Sequence, residues 1–405
     1  MADETNKKEF PCGQCGAKLS FQPGSDALTC EYCGHVNPIE QTDVPIREQD
    51  FDAFVRLESR EGEATTMEAT TVSCSTCAAE VSLEANVTAA ECPFCGTHVV
   101  LEGGSKQLIK PESLLPFKVT KEEATKAFRD WIASLWFAPN NLKDRARDDK
   151  GISGVYLPHW TYDADTRTWY RGERGDNYQT TETYTEKDSE GNSQTKTRTV
   201  TKIRWHSCSG VVYNKFDDLL VVASHSLPVK YVRELEPWDL ENLTPYQDDY
   251  LSGFKAESYT VGLKDGFTEA QAQMVPHIES KIKRDIGGDH QRIHRKDIGY
   301  HDVSFKHVLL PVWLNAYRYQ DKVFRFVVNA RTGEVQGERP YSAIKIALAV
   351  IAVIILIALI VIGVRANNAK KDGATSMLDE PTAITMMHHP EPTALWGLCP
   401  ATSDV

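Results

Sequence analysis

Eight of the ten cysteines stand in four Cys-x-x-Cys pairs, and their spacing is the strongest chemical signal in the chain. Cys12 and Cys15 are followed by Cys30 and Cys33; Cys74 and Cys77 are followed by Cys92 and Cys95. Each cysteine of the first set recurs 62 positions later, so one small unit is written twice. Two such pairs about fifteen residues apart let two tight turns converge on one ion, and tetrahedral thiolate coordination suits Zn²⁺. Sulfur would fill all four positions of each set and leave none for water, which makes two structural centres rather than catalytic ones. Ligand type alone leaves iron, bound as in rubredoxin, open. Gly16, Gly34 and Gly96 follow the second cysteine of a pair, where a tight turn turns backbone N–H groups toward sulfur; Ala78 takes that place in the remaining pair. Redox dithiols of this motif normally occur singly beside a helix, not in matched pairs.

Other candidates are weaker. His290 and His294 are four apart with Asp285, Asp289 and His301 nearby, so a helical face could present a second kind of metal site. Gly287-Gly288 interrupts a helix just before them, and structural hydrogen bonding is the plainer reading. His159 beside Trp160, Cys208 and Cys399 read as packing or surface residues, and His388-His389 as solvent-exposed. The chain has no G-x-x-x-x-G-K-[ST] loop, no G-x-S-x-G elbow and no G-x-G-x-x-G after a strand, so no catalytic residue is assigned and the chain reads as a non-enzyme.

The elements that would position the cysteines divide the chain. Residues 1–40 read as a first zinc ribbon, 41–70 as an acidic linker in which Phe51, Phe54, Val55 and Leu57 could form a short helix, and 71–102 as a second ribbon. Residues 103–342 read as a β-rich α+β domain, mainly antiparallel. Within it Thr120 and Glu123 make a capping box ahead of Ala124, Phe128, Trp131, Ile132 and Leu135 on one helical face, stopped by Pro139. Aromatic and β-branched runs such as Val155 to Tyr162 signal short strands. Residues 173–203 read as a projecting hairpin around Asp188 to Asn192, with Glu182 and Glu186 facing Lys196, Arg198 and Lys202. A second helix is expected from Thr268 to about Arg284, kinked or divided at Pro276, and then a meander through Val308 to Val335.

Charge and apolar runs bear on location. The formal charge of −12 works against a nucleic-acid partner, and residues 1–110 hold 18 acidic against 8 basic side chains, the opposite of the field in which a ribbon that grips DNA would sit. Residues 1–10 carry no apolar signal core, and metal-binding thiols need a reducing compartment, so the front of the chain is expected in the cytosol. Ile346 to Val364 is 19 residues without a charged or polar side chain, long enough to cross a bilayer core of roughly 30 Å. The reading is a single-pass transmembrane helix over 343–365 in the cytoplasmic (inner) membrane, with 366–405 as a disordered tail. Lys and Arg flank both ends about equally and give no orientation by themselves.

Taken together, the double ribbon, Leu115-Pro116-Phe117, Gly154 to Trp160, Gly253-Phe254, Asp285 to Asp289 and Thr332-Gly333-Glu334-Val335 before a C-terminal span resemble bacterial TFIIB-type double zinc-ribbon membrane proteins. Such proteins are often labelled primosomal protein N′ or replication factor Y, although this chain lacks the nucleotide-binding motifs a helicase needs. The resemblance implies a membrane adaptor or scaffold that works with an SPFH-domain protein and a phage-shock protein A homologue during envelope stress. It supplies no catalytic residue. A nucleic-acid-binding accessory without helicase activity is the alternative.

Overall fold

A computed structural model describes residues 10–41, 44–58, 66–82, 89–95, 97–100, 104–139, 151–187, 192–319 and 322–375. Its contacts divide the chain into two compact units, Met1–Tyr341 and Ser342–Val405.

In the first unit, β1 (Leu19–Phe21), β2 (Ala27–Cys30) and β3 (Val36–Pro38) form a small antiparallel sheet that carries Cys30. β4 (Gln49–Asp50) and α1 (Phe51–Glu58) follow, so the stretch expected as a linker contains a helix. Asp50 caps that helix by accepting the Ala53 N–H at 2.6 Å, and Phe54 packs edge-on to Phe305 at 5.1 Å between ring centres. β5 (Thr66–Ser73) and β6 (Glu80–Ser82) flank one cysteine pair, β7 (Ala89–Glu91) and β8 (His98–Val100) flank the next, and β9 (Gly104–Ile109) returns to pair with β5.

The body begins with β10 (Ser113–Leu114) and α2 (Lys121–Ser134). Both halves of the capping box are present: Thr120 N–H donates to Glu123 Oε2 at 2.8 Å, and Glu123 N–H to Thr120 Oγ1 at 3.3 Å. Ala124, Phe128, Ile132 and Leu135 are buried, as their spacing predicts. Next come β11 (Ser153–Lys187), β12 (Ser193–Val222), α3 (Val229–Arg233), β13 (Thr244–Pro245), β14 (Lys255–Glu257), α4 (Leu263–Ile286), β15 (His290–Tyr319), β16 (Lys322–Asn329) and β17 (Val335–Gly337). Among the described residues twelve strands join one sheet, antiparallel except where β10 meets β15 and β11 meets β14.

The strands are far longer than the short runs of the sequence suggest, because β11 passes through three environments. From Val155 to Tyr162 both faces are buried, which writes a continuous apolar and aromatic run. From Ala164 to Gly172 alternate residues are buried beneath α4, which writes period-two alternation. Beyond about Tyr178 both faces are largely in water, and threonine, the polar residue that best suits a strand, takes over. The hairpin of β11 and β12 is therefore continuous with the body, not separate from it at 173; its cross-strand ion pairs link Glu182 to Arg198 and Lys202, and Glu186 to Lys196. Its turn at 188–191 lies outside the described residues.

α4 is a single helix. Pro276 and Ala272, whose carbonyl loses its partner to the proline, lie on the exposed side where water can serve that oxygen. On the other side Ala270, Met274, Ile278, Ile282 and Ile286 form one fully buried stripe, and dividing the helix would uncover it. The helix lies close to the sheet at Gly266, where a Cβ would meet Tyr162 Oη at 2.6 Å and Trp160 Cδ1 at 2.8 Å. Both rings are fixed from above: Tyr162 donates to the Leu263 carbonyl at 2.6 Å and Trp160 Nε1 to the Val261 carbonyl at 2.9 Å.

The second unit contains α5 (Ala343–Thr375), of which Ala343–Arg365 is long and apolar enough to cross a membrane and has its side chains exposed. The helix continues ten residues into the stretch expected as a disordered tail; 376–405 lies outside the described residues.

Candidate metal centres

Three of the cysteine pairs close a turn of the same design, and Cys92 N–H makes the matching bond to the Thr97 carbonyl at 2.9 Å. Cys12 N–H donates to the Ala17 carbonyl at 2.7 Å and accepts, through its own carbonyl, the Gly16 N–H at 2.9 Å. Cys30 repeats this with His35 and Gly34, and Cys74 with Ala79 and Ala78. Gly16 and Gly34 sit at φ +74° and +70°, and Ala78 is held at φ 57°, a conformation unfavourable for a side chain that its turn nevertheless imposes. The turns aim backbone N–H groups at sulfur, as Gln14 N–H does to Cys12 Sγ at 3.4 Å.

The result is two groups of four sulfurs: Cys12, Cys15, Cys30 and Cys33, and Cys74, Cys77, Cys92 and Cys95, each with ligand atoms within 4.8 Å of one another. The nearest sulfurs pair crosswise, Cys12 with Cys33 and Cys15 with Cys30 at 3.6 Å, then Cys74 with Cys95 at 3.6 Å and Cys77 with Cys92 at 3.7 Å. A tetrahedron of sulfurs about 2.3 Å from a central ion has edges of roughly 3.8 Å. Both sets therefore have the size of a four-thiolate metal centre and could each hold one ion, and none of the eight cysteines is in a disulfide.

Proton affinities divide within each set as crowded thiols require. Backbone amides, first that of Cys33, hold the Cys30 thiol down to about 7. In the second set the Cys77 thiol, opposing burial and aided by the amides of Phe94 and Cys95, holds Cys92 down to about 5, while Cys92 pushes Cys77 up. Cys12 and Cys30 in the first set and Cys92 in the second are thus favoured to ionise ahead of the rest, and a cation is what allows the others to ionise.

The two centres are built into the body rather than hung from it. The first shares a buried cluster with Phe117, Tyr156, Trp313 and Phe326, and the second shares one with Leu115, Val155, Leu157 and Leu310. Val155 and Tyr156 are neighbours on β11, so these clusters lie on opposite faces of the central sheet. The first cysteine unit is tied down by Phe21 N–H to the Ser252 carbonyl at 3.0 Å, Ser252 Oγ to the Leu19 carbonyl at 2.6 Å, and Gly24 N–H to the Phe117 carbonyl at 2.9 Å. The second unit joins the sheet itself, through β6 on β14.

Among the described residues the lesser candidates are not assembled into a centre. His290 and His294 lie on β15, a strand and not a helical face; His290 Nε2 is 3.1 Å from Asn177 Oδ1, and His294 Nε2 is 3.3 Å from Glu173. Asp285 accepts the Tyr170 hydroxyl at 2.5 Å and Asp289 the Asn177 N–H at 2.7 Å, so these acids close the end of α4 against the sheet. His159 is buried with Nδ1 3.0 Å from the Leu157 carbonyl, and burial holds it down to about 4. Cys208 is half-buried against the core under α4, and Cys399, His388 and His389 lie outside the described residues.

Sequence reasoning missed a set of buried titratable groups. Glu112 accepts the His307 N–H at 2.6 Å and faces Gln49, and burial pushes its carboxyl up to about 7. Lys306 lies between Asp218 at 2.6 Å and Glu48 at 3.2 Å, beside Asp163, whose carboxyl burial and the neighbouring Glu48 push up to about 7. Asp163 sits where β11 shifts register against both neighbours, and no local pattern marks a bulge in advance.

The chain is 27% identical over 339 residues to the uncharacterized protein YdjG of Bacillus subtilis (strain 168), an alignment covering 84% of this chain and 92% of that protein. No protein family description and no solved structure matches. The residues behind the sequence resemblance have clear places in the fold: Phe117 stacks on Phe254 at 4.0 Å, a Cβ on Gly154 would meet the Phe254 ring at 2.3 Å, and Arg331 binds Asp239 and the Pro116 carbonyl beside the Thr332-Gly333 turn. They hold the body together.

Proposed function

We propose that the protein is a membrane-anchored adaptor whose two zinc ribbons and β-rich body present surfaces to other proteins on the cytosolic side of the cytoplasmic membrane. Zinc is the ion in both centres, each set of four thiolates completing its coordination. The observation that carries this reading is the convergence of eight sulfurs into two tetrahedron-sized groups bracing opposite faces of one sheet. A closed thiolate centre stiffens a surface and offers no open position to a substrate. The apolar helix Ala343–Arg365 supports the anchor, and metal-binding thiols support a reducing, cytosolic setting for the residues before it. Following the resemblance, the partners are an SPFH-domain protein and a phage-shock protein A homologue, recruited in envelope stress.

The test is affinity purification of the tagged full-length chain from gently solubilised membranes, alongside Cys12→Ser and Cys74→Ser variants at matched membrane levels. The expected result is co-purification of an SPFH-domain or phage-shock protein A-like protein with the unaltered chain and its loss with both variants. The unaltered chain recovered alone at high yield would overturn the adaptor.

A further inference from the structure

Past Asp163, α4 covers one face of β11 and leaves the other bare. Thr166, Thr168 and Tyr170 are buried on the covered face; Arg167, Trp169 and Arg171 stand exposed on the bare one. In register beside them, β12 contributes Tyr213 opposite Arg167, and β15 contributes Arg295 opposite Arg171. Trp169 is 54% and Tyr213 63% exposed, large aromatic surfaces left in water on a flat sheet. The Arg167 guanidinium lies 4.7 Å from the Trp169 ring centre and 6.0 Å from that of Tyr213, and farther along Arg292 lies 3.8 Å from Trp205.

Positive charge is in excess around these rings. At the register positions of the bare face Arg167, Arg171, Lys215, Arg292 and Arg295 stand with Asp165, Glu173 and Asp297, in a chain whose net charge is −12. The expectation from net charge, that nucleic acid is not a partner, averages over the chain and does not describe the local charge of this face. Tyr213 and Trp205 are eight residues apart on one strand, roughly 26 Å, with arginines between the two aromatic stations. That is the length of about four extended nucleotides.

We propose that this bare face binds single-stranded nucleic acid, with bases stacking on Trp169, Tyr213 and the half-buried Trp205 and phosphates neutralised by Arg171 and Arg295. Unpaired bases fit because a flat sheet offers aromatic faces but nothing shaped to enter a duplex groove. A lipid surface fits less well: on this stretch of β12 Ile203 is the one large aliphatic side chain exposed, too little to anchor in acyl chains.

The experiment is fluorescence anisotropy of a labelled 12-mer oligo(dT) with the full-length chain in neutral detergent, from about 50 to 200 mM salt. Trp169→Ala is expected to weaken binding about tenfold at every salt concentration, and Trp169→Phe to restore most of it. The Arg171→Ala, Arg295→Ala double variant is expected to reduce the slope of log affinity against log salt by about 1.4. No binding at 50 mM salt, binding that Trp169→Ala leaves unchanged, a 12-base-pair duplex bound as tightly, or equal competition by polyglutamate would each overturn the proposal. The adaptor reading is tested by partner recovery and does not depend on this outcome.

Discussion

At the residue scale the cysteines were legible because metal coordination fixes residue type and spacing together, and all eight converge as the two four-residue patterns require. Glu112 was not legible: its place under β4 and against β15 depends on contacts about 60 and 195 residues away in sequence. Its titration has a consequence. Burial raises the folded-state value to about 7, above the ordinary carboxyl range, so between pH 4.5 and 7 the folded chain keeps a proton that the unfolded chain loses. That contribution is complete at low pH and is lost as pH rises through 7, with a slope of at most about 1.4 kcal/mol per pH unit. Glu112→Gln keeps the shape and removes the charge. Thermal unfolding followed by tryptophan fluorescence should show the variant gaining on the unaltered chain from pH 5 to 8 and exceeding its stability at pH 8. A constant difference across that range would contradict the assignment.

At the element scale the capped helix α2 was readable, since the capping box and the apolar spacing are both local. The long strands were not read at full length, because β11 changes its pattern twice as its surroundings change, and each pattern read alone looks like a separate short strand. The alternation of Arg167, Trp169 and Arg171 with Thr166, Thr168 and Tyr170 was the signal available for a strand covered on one side. The division allowed for at Pro276 does not occur, since a proline on the wet side of a long amphipathic helix costs less than one facing the core. The contact of α4 with the sheet can be probed at Gly266. Alanine there gains helix propensity of up to about 1 kcal/mol but drives a methyl group into two anchored rings, so Gly266→Ala should lower stability by about 1–3 kcal/mol in the same unfolding assay. An increase in stability would show that helix and sheet are less closely packed than described.

At the scale of the whole molecule, the sequence read the ribbons as modules before a separate domain, whereas their cysteines lie in the same buried clusters as the central sheet. The difference arises because local spacing shows how a knuckle closes but not what its outer surface packs against; Phe21 and Val81 look like ribbon residues until Tyr250 and β14 are placed beside them. A metal bound in each centre would then brace one face of the body. The most direct measurement is metal content by mass spectrometry of the full-length chain purified under reducing conditions. The account predicts two zinc ions per chain, falling to one in a Cys12→Ser, Cys15→Ser variant and to one in a Cys74→Ser, Cys77→Ser variant. A folded chain with all eight thiols reduced and far less than two equivalents of metal would contradict it.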